Sequence, residues 1–92
     1  MAAATAGTAS VNAEEDIFRD ADGCSGFRVR CTSGTLLVHV DGLHKDGEFA
    51  PVVANEAVEF IHGDLGIRRV RAKGSGGAAG VNWTVTRKLT HA

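Results

Sequence analysis

The sequence predicts an all-β chain: a small antiparallel β-sandwich or jelly-roll-like barrel of about six strands, preceded by a flexible N-terminal arm. Three observations carry that prediction. Short segments rich in Val, Ile, Phe and Thr recur along the 92 residues, and twelve glycines but a single proline punctuate them. The clearest segments alternate apolar and polar residues with a period of two, so each buries one face and wets the other. At 43% hydrophobic and 23% charged, the chain has apolar surface for one core and too little length for two.

The elements follow in order. Residues 1–12 are mostly Ala, Thr, Gly and Ser, with no period that buries a face, and are expected to form the arm. Residues 13–92 form a single β domain. The stretch 11–18 reads two ways, because Ala13-Glu14-Glu15-Asp16 also suits a short helix. In 26–31, Phe27, Val29 and Cys31 share a face opposite Arg28 and Arg30. Residues 35–40 place Leu36, Val38 and Val40 inward, and the short turn at 32–34 predicts a hairpin of these two strands. Residues 51–54 lead through Asn55-Glu56 into 57–62, with Val58 and Phe60 inward. In 67–73 the period slips between Ile67 and Val70, which calls for a bulge or a late strand start. Gly74-Ser75-Gly76-Gly77 reads as a hairpin loop into 80–86, where Val81, Trp83 and Val85 face inward. The expected core is Phe27, Val29, Leu36, Val38, Val40, Phe60, Val70, Val81, Trp83 and Val85.

Charge narrows the function classes. Ten Lys and Arg against eleven Asp and Glu give a net charge of -1, so no global basic field exists to hold nucleic acid or an anionic membrane. Stacking of single-stranded bases needs exposed aromatics, and Trp83 and the four Phe are wanted by the core. No apolar run approaches the roughly 18–20 residues of a membrane span. The N-terminus has neither the basic region nor the long apolar run of a secretory signal, which predicts a chain that stays in the cytosol where it is made. Cys24 and Cys31 are too few for a disulfide scaffold and lack zinc-ligand spacing, so both read as reduced thiols. Asn82-Trp83-Thr84 matches a glycosylation acceptor, but without a secretory route it carries no weight.

Catalytic patterns are few. His39, His44 and Glu48 resemble a thinned cupin metal motif, yet a cupin pair sits at His-x-His spacing, about 7 Å apart on one strand face, and His39 is followed by Val40 and Asp41. The alternative is a solvent-facing His39 and a polar loop His44. A nucleophile elbow, a phosphate loop and a metalloprotease helix motif are all missing from the sequence. Gly74-Ser75-Gly76-Gly77 precedes a strand, so it lacks the helix dipole that makes a glycine loop an anion cradle. Asp20-Ala21-Asp22-Gly23 opens like a calcium loop but lacks the later oxygen ligands. The reading is therefore of a protein that is not an enzyme and uses no cofactor and no metal.

One feature stands out. Arg28 and Arg30 on one strand and Arg68, Arg69 and Arg71 on another, with Arg87 and Lys88 further on, suggest a one-sided basic face on a neutral protein. The guanidinium fork pairs bidentately with carboxylates at protein interfaces. The five strand arginines are accordingly the candidate partner-binding residues. The alternative is a solvated face balanced by Glu56, Glu59 and Asp64.

The stretches LVHVDGLH at 37–44, GEFAPVVANEAVEF at 47–60, GIRRVRAKG at 66–74 and VNWTV at 81–85 resemble small structural proteins encoded beside the capsid genes of tailed bacteriophages. The likeness covers about residues 26–88 and rests on β-hairpin features, not on catalytic signatures. It implies a capsid-decorating or virion-stabilising protein, made in the host cytoplasm and placed on the capsid exterior. The implied partners are the major capsid protein and copies of the chain itself, with a homotrimer favoured. A carbohydrate- or receptor-binding fibre or tail-tip module, with Trp83 or the histidines facing a ligand, is the alternative. A cupin-type metalloenzyme comes third.

Overall fold

The computed structural model describes residues 6–62 and 65–86. Eight strands run β1 (Ala6–Val11), β2 (Glu15–Cys24), β3 (Gly26–Ser33), β4 (Thr35–Val40), β5 (Ala50–Val53), β6 (Ala57–Ile61), β7 (Ile67–Gly74) and β8 (Ala79–Thr86). They form two four-stranded sheets, A in the order β1-β8-β3-β6 and B in the order β2-β7-β4-β5, and every pairing is antiparallel. This strand order is that of an eight-stranded jelly roll. The all-β class holds, with eight strands in place of six.

Both added strands come from the N-terminal part. Residues 6–11, expected in the flexible arm, pair along their whole length with β8, from Ala6 opposite Thr84 to Val11 opposite Ala79. Their small side chains have a packing reason. Gly7 lies opposite Trp83, and a Cβ built on Gly7 would stand 2.5 Å from the indole Cζ2. The large residue that fills this edge of the core comes from β8, so β1 supplies space instead of bulk. The ambiguous stretch 11–18 is divided between elements: Val11 ends β1 and β2 begins at Glu15. There is no helix in it.

The two expected hairpins are corrected: β3 and β4 lie in different sheets, as do β7 and β8, and the turn at Asn55-Glu56 likewise carries the chain from one sheet to the other. Each short turn folds the chain over the core instead of pairing its flanking strands. Gly34, at φ 70°, makes the first of these crossings, where a Cβ would stand 2.6 Å from the Ala78 carbonyl oxygen. Only β4 and β5, joined by the nine-residue loop 41–49, are neighbours in both chain and sheet. The slip in β7 is real: its register with β2 shifts between Arg19 and Cys24, and Ile67, Val70 and Ala72 all end up buried.

The core lies between the sheets. Phe27, Val29, Leu36, Val38, Val40, Val70, Val81 and Trp83 are buried as expected. Phe60 and Val85 are half-buried against them. Val11, Phe18, Cys24, Cys31, Val52, Ile67, Ala72 and Ala79 complete the set. Phe18, Phe27 and Trp83 form an aromatic triad with ring centroids 5.3 to 5.5 Å apart. Both cysteines are buried and outside any disulfide; the Cys31 thiol donates to the Ser33 carbonyl at 3.2 Å.

Candidate functional site

The arginines do not share one face. Arg28 and Arg30 point outward from β3 in sheet A, whereas Arg68, Arg69 and Arg71 belong to β7 in sheet B. A period of two assigns each residue to the dry or wet side of its own strand, but it does not say which layer that strand joins. The expected one-sided cluster is therefore two groups on opposite layers.

Two of the sheet B group, Arg69 and Arg71, are paired internally, and Arg68 is exposed. Arg69 Nε donates to Asp16 Oδ1 at 2.8 Å, and this hydrogen bond, opposed by desolvation and aided by the Asp16 charge, raises the guanidinium pKa above its ordinary value. Arg71 donates through Nη1 to Glu14 Oε2 at 3.3 Å and through Nη2 to Asp41 Oδ1 at 3.1 Å. Its Nε is buried with no hydrogen-bond partner among the described residues. Bonds of this kind tie β7 to β2 and to the start of the β4–β5 loop, engaging Arg69 through Nε and Arg71 through both Nη atoms.

The same network overturns the solvent-facing reading of His39. The side chain does point away from the core, opposite Arg71 in the β4–β7 ladder, but it is 2% exposed because the 41–49 loop folds back over it. Nδ1 donates to the Glu48 carbonyl at 2.8 Å and Nε2 lies 3.0 Å from Asp41 Oδ1. Phe49 and His44 rings stand 5.5 and 5.8 Å away, and the Lys73 ammonium sits 4.3 Å over the Phe49 ring. His44 Nδ1 accepts the Val40 N–H at 2.9 Å. His39 has both nitrogens engaged, and Glu48 touches it through its backbone, so the cupin-like set is not convergent. Among the described residues no three His, Cys, Asp or Glu side chains are placed to share a metal ion.

Sheet A presents the opposite situation. Arg28 stands across from Thr84 and Glu59, and Arg30 across from Asn82 and Ala57. Among the described residues neither guanidinium makes an ion pair or hydrogen bond. Arg28, Arg30, Asn82, Trp83 and Thr84 line a shallow depression of 170 Å³. No carboxylate lines it. Asn82 and Thr84 were not singled out from sequence, although their alternation with Val81, Trp83 and Val85 marks them as outward residues of β8. Their proximity to Arg28 and Arg30 depends on the pairing of β8 with β3, half a chain away.

No family model and no curated protein matches this chain. Among solved structures it is similar to the solution NMR structure of a de novo designed double-stranded β-helix, with a TM-score of 0.53 at 11% identity, over 87% of this chain and 94% of that one. At that identity the likeness is one of fold alone.

Proposed function

We propose that the chain is a non-enzymatic virion structural protein of the tailed-bacteriophage type, which decorates or stabilises the capsid by self-association and by docking on the major capsid protein. The observation that carries the docking part is that Arg28 and Arg30, which make no ion pair or hydrogen bond among the described residues, line with Asn82, Trp83 and Thr84 a shallow depression that holds no carboxylate. The phage part rests on the resemblance of the strand segments. Two guanidinium groups held a strand repeat apart on a flat sheet face are suited to carboxylates on another protein surface. Trp83, needed at the surface by a sugar-binding module, is 8% exposed and stacked on Phe27. His39, the most buried polar residue described, has both ring nitrogens bonded and the Phe49 ring 5.5 Å from its own.

The test follows a tagged chain through gradient-purified particles from its host. The wild-type chain is expected to co-sediment with capsids, and Arg28→Glu/Arg30→Glu to remain in the soluble fraction although folded. A chain absent from particles, or a charge-reversed chain that keeps full occupancy, overturns the reading.

A further inference from the structure

The 41–49 loop is held against β4 by two histidines whose ring nitrogens face opposite kinds of group. His39 meets acceptors at both: Nδ1 is 2.8 Å from the Glu48 carbonyl and Nε2 is 3.0 Å from Asp41 Oδ1. A neutral imidazole has one N–H and one bare nitrogen, so it satisfies only one of the two. The other contact then sets lone pair against lone pair, at a residue 2% exposed where bulk solvent does not relieve it. His44 is the reverse. Its Nδ1 accepts the Val40 N–H at 2.9 Å, which requires that nitrogen to be bare. The rings are 5.8 Å apart, yet the His44 bond fastens the start of the loop and the His39 bond to Glu48 fastens its end.

The charged groups around the two rings come from several elements. From β7, Arg71 stands opposite His39 and donates to Asp41 Oδ1, and Lys73 lies over the Phe49 ring. Glu14, ahead of β2, takes the other Nη of Arg71. Within the loop, Lys45 and Asp46 are exposed, and the Glu48 carboxylate accepts the Lys45 N–H at 3.3 Å. β5 brings no charge. β6 presents the Phe60 ring to His44, and beyond it His62 lies near Gly42, where a Cβ would stand 3.7 Å from its Cδ2. A protonated His39 balances this set, its charge and that of Arg71 standing against Asp41 and Glu14.

We propose that the 41–49 loop is a two-sided proton latch, closed when His39 carries a proton on both nitrogens and His44 carries none on Nδ1. The His39 contribution belongs to its charged form, so it is present at lower pH and lost as the pH rises through the His39 titration. The His44 contribution belongs to its neutral form and is lost as the pH falls through the His44 titration. Closure is therefore greatest between the two and weakens on either side. Histidine is the side chain suited to this, since it changes charge in the mildly acidic to neutral range. Opening uncovers His39 and Phe49 on the sheet B face, a change of surface that depends on neither the Arg28 nor the Arg30 side chain.

Nitrogen-15 NMR of the imidazoles in the purified full chain tests this, together with amide-exchange protection of residues 41–49, both followed from about pH 4 to about pH 9. At the pH of greatest protection His39 is expected to show two protonated nitrogens and His44 a bare Nδ1. Protection, corrected for the intrinsic exchange rate, is expected to fall about tenfold or more on each side of its maximum, the scale of a hydrogen bond to a charged group. His44→Asn puts a side-chain oxygen where Nδ1 accepts the Val40 N–H and is expected to abolish the acid-side fall alone. Asp41→Asn offers the bare Nε2 of a neutral His39 an amide donor and is expected to abolish the alkaline-side fall alone. The wild-type spectra decide the protonation states even where a variant fails to fold. A His39 with one bare nitrogen at the pH of greatest protection, a His44 protonated at Nδ1 there, or protection that is flat with pH overturns the proposal. So does an acid-side fall that survives His44→Asn, which would place it at His62 or at the carboxylates Asp41 and Glu14.

Discussion

At the scale of single residues, Trp83 and His39 hold the two sides of the molecule for different reasons. Trp83 is in contact with Phe27 and Phe18 and fills the space that Gly7 leaves. Trp83→Ala removes the largest ring of the triad and is expected to cost about 3 to 5 kcal/mol, read from denaturant midpoints. Gly7→Val has the opposite fault. Its branched side chain is driven into the indole, with an expected cost of about 1 to 3 kcal/mol and a changed Trp83 emission. His39 is a polar residue enclosed by a loop, and its value lies in satisfied bonds. Truncation to Ala leaves the Glu48 carbonyl without its donor and Asp41 with Arg71 alone, and is expected to cost about 1 to 3 kcal/mol. The loss should appear as faster amide exchange across residues 41–49, and a variant with wild-type stability and exchange would show that the loop is held by Phe49 alone.

At the scale of elements, β1 and β7 behave unlike their sequence readings. β1 has the composition of a tail, yet Val11 is 1% exposed and six residues pair with β8. Deleting residues 2–11 is therefore expected to destabilise the domain, by at least the roughly 1.5 to 3 kcal/mol of burying a Val, and to bare the β8 edge to intermolecular pairing. Unchanged thermal stability of the truncated chain would assign β1 no structural role. β7 has the composition of a basic docking strand, but Arg71 is spent on Glu14 and Asp41. Arg71→Glu brings three carboxylates together, and the expected loss is about 1 to 2 kcal/mol after allowance for its partial exposure, largest at low salt. Arg28→Glu, by contrast, leaves stability within about 0.5 kcal/mol of wild type, since it breaks no bond in the monomer. Comparing these two variants separates an internal cation from an interfacial one.

At the scale of the whole molecule, the jelly-roll order places most strand neighbours far apart in the chain. β1 must find β8, β2 must find β7 and β3 must find both β6 and β8. Loop closure precedes the gain from each pairing, so refolding is expected in the millisecond-to-second range that non-local β topologies show. Stopped-flow Trp83 fluorescence measures it, and refolding in microseconds would contradict this pairing scheme. The same topology sets the distribution of charge. In sheet B the 41–49 loop covers His39 and carboxylates pair Arg69 and Arg71, while sheet A leaves Arg28 and Arg30 open.

The sequence by itself determined what each strand buries. Alternation at Phe27, Val29 and Cys31, at Leu36, Val38 and Val40, and at Val81, Trp83 and Val85 is a local property of extended chain, and the core follows it. It also marked Arg28 and Arg30 as outward residues. Tertiary structure alone decided which strands are neighbours, because a short turn closes a hairpin or a crossover equally well and the periodicity is the same in both. That choice made β1 a strand by setting Gly7 under Trp83, enclosed His39 beneath a loop whose residues give no periodic signal, and separated five arginines into two paired by carboxylates, two left open, and Arg68 exposed at the irregular join. Pairing of charges depends on distances between residues remote in the chain, and only the packed sheets fix those distances.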